Sequence, residues 1–258
     1  WWFDLYGDMS RFLRATAGIG LLLVGLMIVR IRRRPRPAMV LPTEAERDAA
    51  VDLARRSSTP GGASILLGDG ALLWNGDRTA AMMYAVHGHT WVALGEPIGP
   101  ASKAEALVSR FLERCDDYAG LPVIYRAPKD WLHVYADYGL THVTLGEDAR
   151  VYLPHFAIDG SGHRALRTTL AHLERNGVVM SVEWPPAVDR LIPALRDTSE
   201  AWLAGRGAVE GRFGVTRFAD RYIAASPVAI ARRGSTIEGF ATLASLPGRH
   251  TLMVDLIR

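Results

Sequence analysis

The sequence predicts an α/β (α+β) fold made of two similar halves, preceded by a membrane-spanning helix. Three observations support this prediction. An uncharged run from Ala15 to Val29 precedes a cluster of arginines, short strand-like runs alternate with helical patterns after residue 60, and a similar order of runs returns after residue 177. Because 49% of the 258 residues are apolar, the chain can bury a sizeable core.

The apolar run near the start predicts a transmembrane helix over residues 12–31, inside a membrane region of residues 1–37. Its uncharged part has 15 residues, short of the roughly 20 that a spanning helix needs. Apolar neighbours lengthen the run, and Arg14 and Arg30 can extend towards the lipid headgroups. The dense positive charge follows the run, unlike in a secretory signal peptide, so the positive-inside rule places residues 32–258 in the cytosol.

Positive charge is concentrated next to this run. The cluster accounts for more than the whole net charge of +3 and consists of Arg30, Arg32, Arg33, Arg34 and Arg36. Such a local charge excludes a uniformly basic nucleic-acid-binding protein and favours a stop-transfer signal or contact with anionic lipid. The single cysteine, Cys115, excludes a disulfide within the chain, and its helical surroundings predict a small core or helix-face residue.

The first half, residues 61–157, is predicted to be a strand-rich unit with one long helix. A linker and helix at 38–60 precede it, and Thr43 and Glu46 form a capping box at the start of that helix. Turn sequences such as GDG, NGDR and HGHT separate the early strands. We expect strands at 63–67, 71–75, 80–88, 91–95, 121–127, 141–146 and 149–153, with helices at about 101–119 and 129–139.

A helix over residues 158–177 links the two halves. Leu166, Leu170 and Leu173 form its apolar stripe, and Gly177 is placed to end it. The second half, residues 178–258, repeats the order of a strand, two helices and an antiparallel meander. We expect strands at 178–184, 227–232, 236–245 and 250–257, and helices at about 186–204 and 216–225.

The last predicted strand, TLMVDLIR, places Asp255 and Arg258 among apolar residues. In a regular strand, residues three positions apart face opposite sides of the sheet. The two side chains can therefore share a site only if a bulge intervenes or the strand ends near Ile257. An exposed pair at the strand end, or a purely structural ion pair, is the alternative interpretation.

Four stretches, in this order, resemble a known family: YAVHGHTWVALGEPIGP, GHRALRTTLAHLERNG, TSEAWLAGRGAVEGRFGVTRF and TLMVDLIR. Over about residues 61–258 the chain is similar to the multiple peptide resistance factor family, the aminoacyl-phosphatidylglycerol synthases. The resemblance implies tandem acetyltransferase-like (GNAT) folds joined by a basic helix, on the cytosolic side of the bacterial cell membrane. Family chains continue past the DLIR strand, so we expect the second fold to be incomplete here and the sequence to be part of a longer protein.

The resemblance implies transfer of an aminoacyl group from aminoacyl-tRNA to the glycerol hydroxyl of phosphatidylglycerol. One ester replaces another, so no ATP, metal or other cofactor is expected. Asp255 and Arg258 are the expected catalytic residues. Arg258 could grip a lipid or tRNA phosphate, and Asp255 could orient Arg258, hold the substrate amino group or accept the hydroxyl proton. Lysine, alanine and arginine are all open as the transferred amino acid.

The family also implies substrate-binding residues and a larger assembly. Those expected to bind substrate are Arg164, Arg167 and Arg175 on the linking helix, and Trp202, Glu210 and Phe213 in the segment that borders the family's site. From the residues alone, the alternative interpretations are a solvated helix face for the arginines, a core position for Trp202 and a surface acid for Glu210. The whole protein is expected to flip its product lipid and to form homo-oligomers through its membrane region.

Two other functions fit the same residues. A membrane-tethered acetyl-CoA-dependent N-acyltransferase would need a Q/RxxGxG/A loop after the strand that contains Asp255, in a region that this sequence does not reach. A non-enzymatic adaptor on a membrane helix would need no site at all. The eight histidines show no metal-ligand spacing such as HExxH.

Overall fold

The computed structural model describes residues 11–32, 39–57, 60–147, 149–211, 213, 217–245 and 252–258. Helix α1 (Arg11–Arg32) occupies the stretch where a spanning helix was expected. Across these described ranges, however, no helix is both long and apolar enough to cross a membrane, which corrects the prediction of a span over 12–31. The uncharged run from Ala15 to Val29 would extend about 22 Å as a helix, short of the roughly 30 Å hydrocarbon core of a bilayer. The cluster arginines at 33, 34 and 36 lie outside the described residues.

Within the described residues, six further α-helices pack with two sheets. They are α2 (Glu44–Ser57), α3 (Ala101–Asp117), α4 (Leu132–Asp137), α5 (Arg164–Arg175), α6 (Ile192–Arg206) and α7 (Asp220–Ala224). The capping box of α2 is confirmed, because the Glu46 N–H donates to Thr43 Oγ1 (3.3 Å) and the Thr43 N–H donates to Glu46 Oε2 (3.1 Å). Because the N–H groups of a first turn lack helical partners, this exchange fixes where α2 begins.

Each sheet has four strands in sequence order. The first contains β1 (Ala71–Trp74), β2 (Ala81–His87), β3 (Thr90–Leu94) and β4 (Leu121–Tyr125), and the second contains β5 (Val178–Glu183), β6 (Val228–Arg233), β7 (Thr236–Ser245) and β8 (Leu252–Ile257). All neighbouring strands are antiparallel except β3 and β4, which are parallel and connected through α3. The second sheet is therefore a meander that ends, among the described strands, at β8.

The first sheet buries both of its faces. Met82 and Tyr84 of β2 pack with Trp91 and Phe111 on the side of α3, whereas their neighbours Ala81 and Met83 pack on the side of α2. Cys115 is fully buried in the α3 cluster, as predicted, and burial is the main factor that raises the pKa of its thiol to about 12. The alternation of β2 side chains between the two faces agrees with the period of two expected for a strand.

Three of the predicted strands in the first half are wrong. Residues 63–67 belong to a 3₁₀ helix, Pro60–Leu67, and residues 141–146 and 149–153 form no strand. Val143 and Leu145 are 78% and 79% exposed. These apolar residues alternate with polar ones, but a strand also requires a hydrogen-bonding neighbour, which the sequence does not show.

The second sheet is covered on one face by α6 and α7. Leu195 of α6, Tyr222 and Ile223 of α7, Phe240 of β7 and Leu256 of β8 share one buried cluster. Leu67 from the 3₁₀ helix of the first half belongs to the same cluster, so the two halves have a common apolar boundary. Helix α5 instead contacts β5, at the other end of the sheet from β8.

Candidate functional site

The candidate site lies where strand β8 departs from regular pairing. Ala241 of β7 is opposite Ile257, and Leu243 is opposite Val254. The single residue Thr242 therefore faces two residues of β8, Asp255 and Leu256, which is a β-bulge. The extra residue changes the alternation of side chains, so Asp255 and Arg258 both reach the helices on one face of the sheet. Of the two arrangements that the sequence left open, the structure shows a bulge, and β8 also ends at Ile257.

Thr242 holds the bulge together from the facing strand. Its side chain is completely buried, and its Oγ1 accepts a hydrogen bond from the backbone N–H of Leu256 at 2.9 Å. Beyond the bulge, Phe240 and Arg258 exchange two backbone hydrogen bonds of 2.9 Å each. A Cβ at Gly239 would lie 2.9 Å from the Arg258 carbonyl oxygen, so glycine is needed for this close approach.

Asp255 is bound to a tyrosine of helix α7. The Tyr222 hydroxyl donates a hydrogen bond to Asp255 Oδ2, and the tyrosine is 1% exposed. Burial first, and then the Asp255 carboxylate, raise the pKa of Tyr222 above its ordinary value. The tyrosine therefore stays neutral and acts as a hydrogen-bond donor, so the carboxylate has one oxygen fixed in position.

Arg258 is held by three groups from other parts of the second half. Its Nη2 lies 3.0 Å from Glu210 Oε2, its Nε donates to Ser199 Oγ at 3.1 Å, and its guanidinium lies 4.6 Å from the centroid of the Trp202 ring. The Arg258 side chain is only 10% exposed. A guanidinium bound at its edge and stacked on its face has a fixed orientation.

The predicted site residues Glu210 and Trp202 therefore surround Arg258. Trp202 is neither core nor free surface, because its partly buried ring also lies 4.5 Å from the guanidinium carbon of Arg206. Glu210 is 31% exposed and is the salt-bridge partner of Arg258. Its carboxylate already neutralises a cation of the protein, which weakens the expectation that it binds a substrate ammonium.

The structure does not bring the other predicted binding residues to this place. Phe213 packs against Met83 and Gly70 of the first half. Arg164 and Arg175 are exposed on α5, and Arg167 Nη1 donates to the carbonyls of Ile158 and Gly160 at 2.6 Å each. Because α5 contacts β5, it is separated from β8 by three strand spacings, or about 14 Å.

Three residues near the site were missed by the sequence analysis: Ser199, Tyr222 and Arg126. Arg126 follows strand β4 of the first half, and its Nη2 lies 3.7 Å from Met253 Sδ in β8. These residues are separated from their partners by 33 to 127 positions. A tyrosine and a serine on helical segments carry no local signal that could have identified them. Among the described residues, no group of three histidine, cysteine or acidic side chains could hold a metal ion.

The site can support acyl transfer between hydroxyls. A carboxylate fixed by a neutral donor can accept a proton, and a rigid guanidinium can bind an anion or a developing oxyanion. Tyr222, Ser199 and Trp202 hold them from helices α6 and α7, and Glu210 holds Arg258 from the segment that follows α6. Their pre-organisation is the feature that distinguishes this site from an exposed ion pair at a strand end.

Comparison with known proteins finds relatives that share one described activity. A phosphatidylglycerol lysyltransferase of Staphylococcus xylosus is 31% identical over 193 residues, which are 74% of this chain and 23% of the relative. The structure of L-PGS from Bacillus licheniformis has a TM-score of 0.76 and 25% identity, and the match covers 86% of this chain and 68% of that one. The crystal structure of a C-terminal domain from a candidate lysylphosphatidylglycerol synthetase of Agrobacterium fabrum has the same TM-score at 28% identity, over 84% and 69% of the two chains.

These matches confirm both the mixed α/β fold and the resemblance found in the sequence. The chain spans about a quarter of the length of the curated relatives that it matches. The model of the family described as "Phosphatidylglycerol lysyltransferase, C-terminal" matches residues 50–258, which include both sheets and the bulge in β8. Because this match covers well over half of the chain, the protein belongs to that family.

Proposed function

We propose that this chain carries the aminoacyl-transfer site of a phosphatidylglycerol aminoacyltransferase, within two GNAT-like units. The observation that carries the proposal is the bulge in β8, which directs Asp255 and Arg258 to one face of the sheet, where Tyr222 and Glu210 hold them. Family membership supports the substrate class. The donor is an aminoacyl-tRNA, and the names of the relatives favour lysine as the amino acid.

The reaction exchanges one ester for another. The glycerol hydroxyl of phosphatidylglycerol attacks the carbonyl carbon of the aminoacyl ester, and its proton passes to the Asp255 carboxylate. The resulting tetrahedral intermediate then collapses, the bond to the ribose oxygen breaks, and that oxygen takes up the proton. Tyr222 keeps Asp255 aimed at the attacking hydroxyl, and Arg258 stabilises negative charge on the reacting centre.

The partners follow from this chemistry. Phosphatidylglycerol is a membrane lipid and charged tRNA is cytosolic, so we place the reaction at the cytosolic surface of the bacterial cell membrane. Flipping of the product lipid and self-association belong, in this proposal, to other parts of a longer protein. Arg164 and Arg175 are exposed on α5, and we propose that they contribute to tRNA binding by contacting phosphates.

The test is the lipid extract of cells that express the full-length protein, analysed by mass spectrometry. We expect a new phosphatidylglycerol species whose added mass corresponds to lysine, whereas alanine or arginine would give other masses. Asp255→Asn should strongly reduce it, because the amide has the same shape but cannot accept the proton; the transfer rate should fall by about 10²-fold or more. An unchanged lipid profile from cells with the wild-type protein would contradict the proposal. If the protein instead transferred acetyl groups from acetyl-CoA, the alternative function as an N-acyltransferase would be supported.

A further inference from the structure

Arg126 belongs to the first half but extends towards the site in the second half. It follows directly after β4, and its Nη2 lies 3.7 Å from the thioether sulfur of Met253, two residues before Asp255. Sulfur is a weak acceptor, so this contact positions the guanidinium but leaves its N–H donors able to bind a stronger acceptor. Arg126 is exposed to solvent and can therefore receive a ligand.

The backbone at Arg126 is in a strained conformation. Its φ is +58°, in the left-handed region that side chains with a Cβ rarely adopt. The turn is fixed next to it, because the Gly95 N–H donates to the Tyr125 carbonyl at 2.7 Å. Residues in such conformations persist where the surrounding structure fixes them, and they are frequent at functional sites. Glycine would relieve the strain, but the sequence has an arginine.

The charge of Arg126 acts on the same groups that hold Asp255. Burial is the main factor that raises the pKa of Tyr222, and the positive charge of Arg126 acts in the opposite direction. Its guanidinium is therefore close enough to the Tyr222–Asp255 pair to interact with it electrostatically. Arg258, in contrast, already contacts Glu210, Ser199 and Trp202. Arg126 is thus the better candidate for binding an anionic group of the substrate.

We propose that Arg126 binds the phosphate of phosphatidylglycerol, so that the first half holds the lipid while its glycerol hydroxyl meets Asp255 in the second half. This inference rests on the proposed function and adds a substrate-binding residue to it. A short glycerol chain separates the phosphate of this lipid from its terminal hydroxyl, which suits an arginine that approaches β8 two residues from the proposed base. The planar guanidinium can make two parallel hydrogen bonds to one phosphate.

A lipid is favoured over tRNA by the apolar surroundings of Arg126. Its contact in β8 is the side chain of Met253. Met253 also has exposed apolar neighbours in β8, with Leu252 46% exposed and Val254 56% exposed. A polynucleotide site would be expected to gather several basic residues around the arginine, because its backbone presents a series of phosphates.

The test measures transfer by the full-length protein in mixed micelles, varying phosphatidylglycerol and aminoacyl-tRNA separately. Arg126→Ala should raise the KM for phosphatidylglycerol about tenfold or more, the loss expected for a charge-assisted contact, and leave the KM for the tRNA unchanged. Arg126→Lys should recover part of the loss, because it keeps the charge but not the planar fork. Arg78→Ala is the matched control, since Arg78 also has a positive φ (+55°) and an exposed guanidinium but pairs with Glu46 instead.

Two results would overturn the inference: an unchanged KM for the lipid in Arg126→Ala, or an increase confined to the tRNA, which would assign Arg126 to RNA binding. If the wild-type protein transfers nothing, the proposed function fails and a second measurement decides about Arg126. Calorimetric binding of dihexanoylphosphatidylglycerol, with dihexanoylphosphatidylcholine as reference, should be weakened in Arg126→Ala but not in Arg78→Ala. Equal binding by the two variants would contradict the role of Arg126, and thermal melts establish that both are folded.

Discussion

At the scale of single residues, the site depends on how two charged side chains are held. Arg258 contacts a carboxylate, a hydroxyl and an aromatic ring, and Asp255 contacts a buried phenol. The main effect of these contacts is to fix the orientation of the Arg258 and Asp255 side chains. We therefore expect substitutions that keep the charge but change the geometry to be damaging.

Arg258→Lys tests this expectation. Lysine keeps the positive charge but cannot contact Glu210 and Ser199 in one plane while stacking on Trp202. We expect single-turnover transfer from charged tRNA to lipid to fall by about tenfold or more. The melting temperature should change little if the role is catalytic. A variant that folds and transfers normally would show that transfer does not need the planar guanidinium of Arg258.

Tyr222→Phe tests the group that fixes Asp255. The ring stays in the core, but the hydroxyl donor to the carboxylate is lost. We expect the free energy of unfolding to fall by about 1.5–3 kcal/mol, as for a hydrogen bond to a charged group, and the transfer rate to fall as well. Tyr135→Phe is a matched control, because this buried hydroxyl donates to the Gly95 carbonyl at 2.8 Å in the first half. The Tyr135→Phe variant should lose stability but keep the wild-type transfer rate. Equal losses of transfer rate in both variants would argue against a special role for Tyr222.

The buried thiol of Cys115 should make the stability of the protein depend on pH. Burial, and to a lesser degree Asp116, raise the pKa of its thiol from 9.0 to about 12. In the unfolded chain the thiol ionises first, so its contribution to stability is complete below about pH 9 and is lost as the pH rises towards 12. Urea denaturation between pH 8 and about 10.5 should show a shallower loss of stability in Cys115→Ala than in the wild-type chain. Parallel curves would mean that the thiol does not ionise in this way.

At the scale of secondary-structure elements, the bulge in β8 positions the site. Thr242 is fully buried and accepts the N–H of Leu256 at 2.9 Å. Thr242→Val keeps the shape but leaves that N–H without its acceptor, so we expect the free energy of unfolding to fall by about 1–3 kcal/mol. Transfer should fall further than the loss of folded protein explains, because Asp255 loses its alignment. Activity that simply follows the folded fraction would show that the bulge tolerates this change.

The elements show what the sequence could and could not predict. Strands β1 to β8 were expected at or near their positions, because their alternation and turn residues are local signals. The predicted strand at residues 63–67 is wrong, because an apolar run without a clear period does not distinguish a strand from a helix; Ile65 packs in the first half and Leu67 in the second. The pair Asp255 and Arg258 was identified because both lie in one short motif. Tyr222 and Arg126 reach the site only through tertiary packing, which leaves no local trace in the sequence.

At the scale of the whole molecule, the site depends on the contact between the two halves. Arg217 Nη2 donates to the Leu67 carbonyl at 2.6 Å, and its Nε lies 3.6 Å from Asp69 Oδ2. Arg221 forms an ion pair with Asp48 of α2. If Arg126 binds the lipid that Asp255 activates, these contacts must keep the first half at a fixed distance from β8. Loosening them should then impair transfer although no site residue has changed.

A double-mutant cycle on Asp69 and Arg217 tests this last step. The Asp69 side chain is 17% exposed and both of its oxygens are buried, so removing Arg217 leaves its charge poorly compensated. We expect Arg217→Gln to lower the free energy of unfolding by about 1–3 kcal/mol, with a coupling to Asp69→Asn of about 0.5–3 kcal/mol. The exposed hairpin pair Arg233 and Glu238, 2.7 Å apart, should show a coupling of at most about 1 kcal/mol. Transfer by folded Arg217→Gln should show a raised KM for phosphatidylglycerol, as in Arg126→Ala, because the first half no longer holds Arg126 beside Met253. A normal KM in a variant with the expected loss of stability would mean that the two halves act independently in lipid binding.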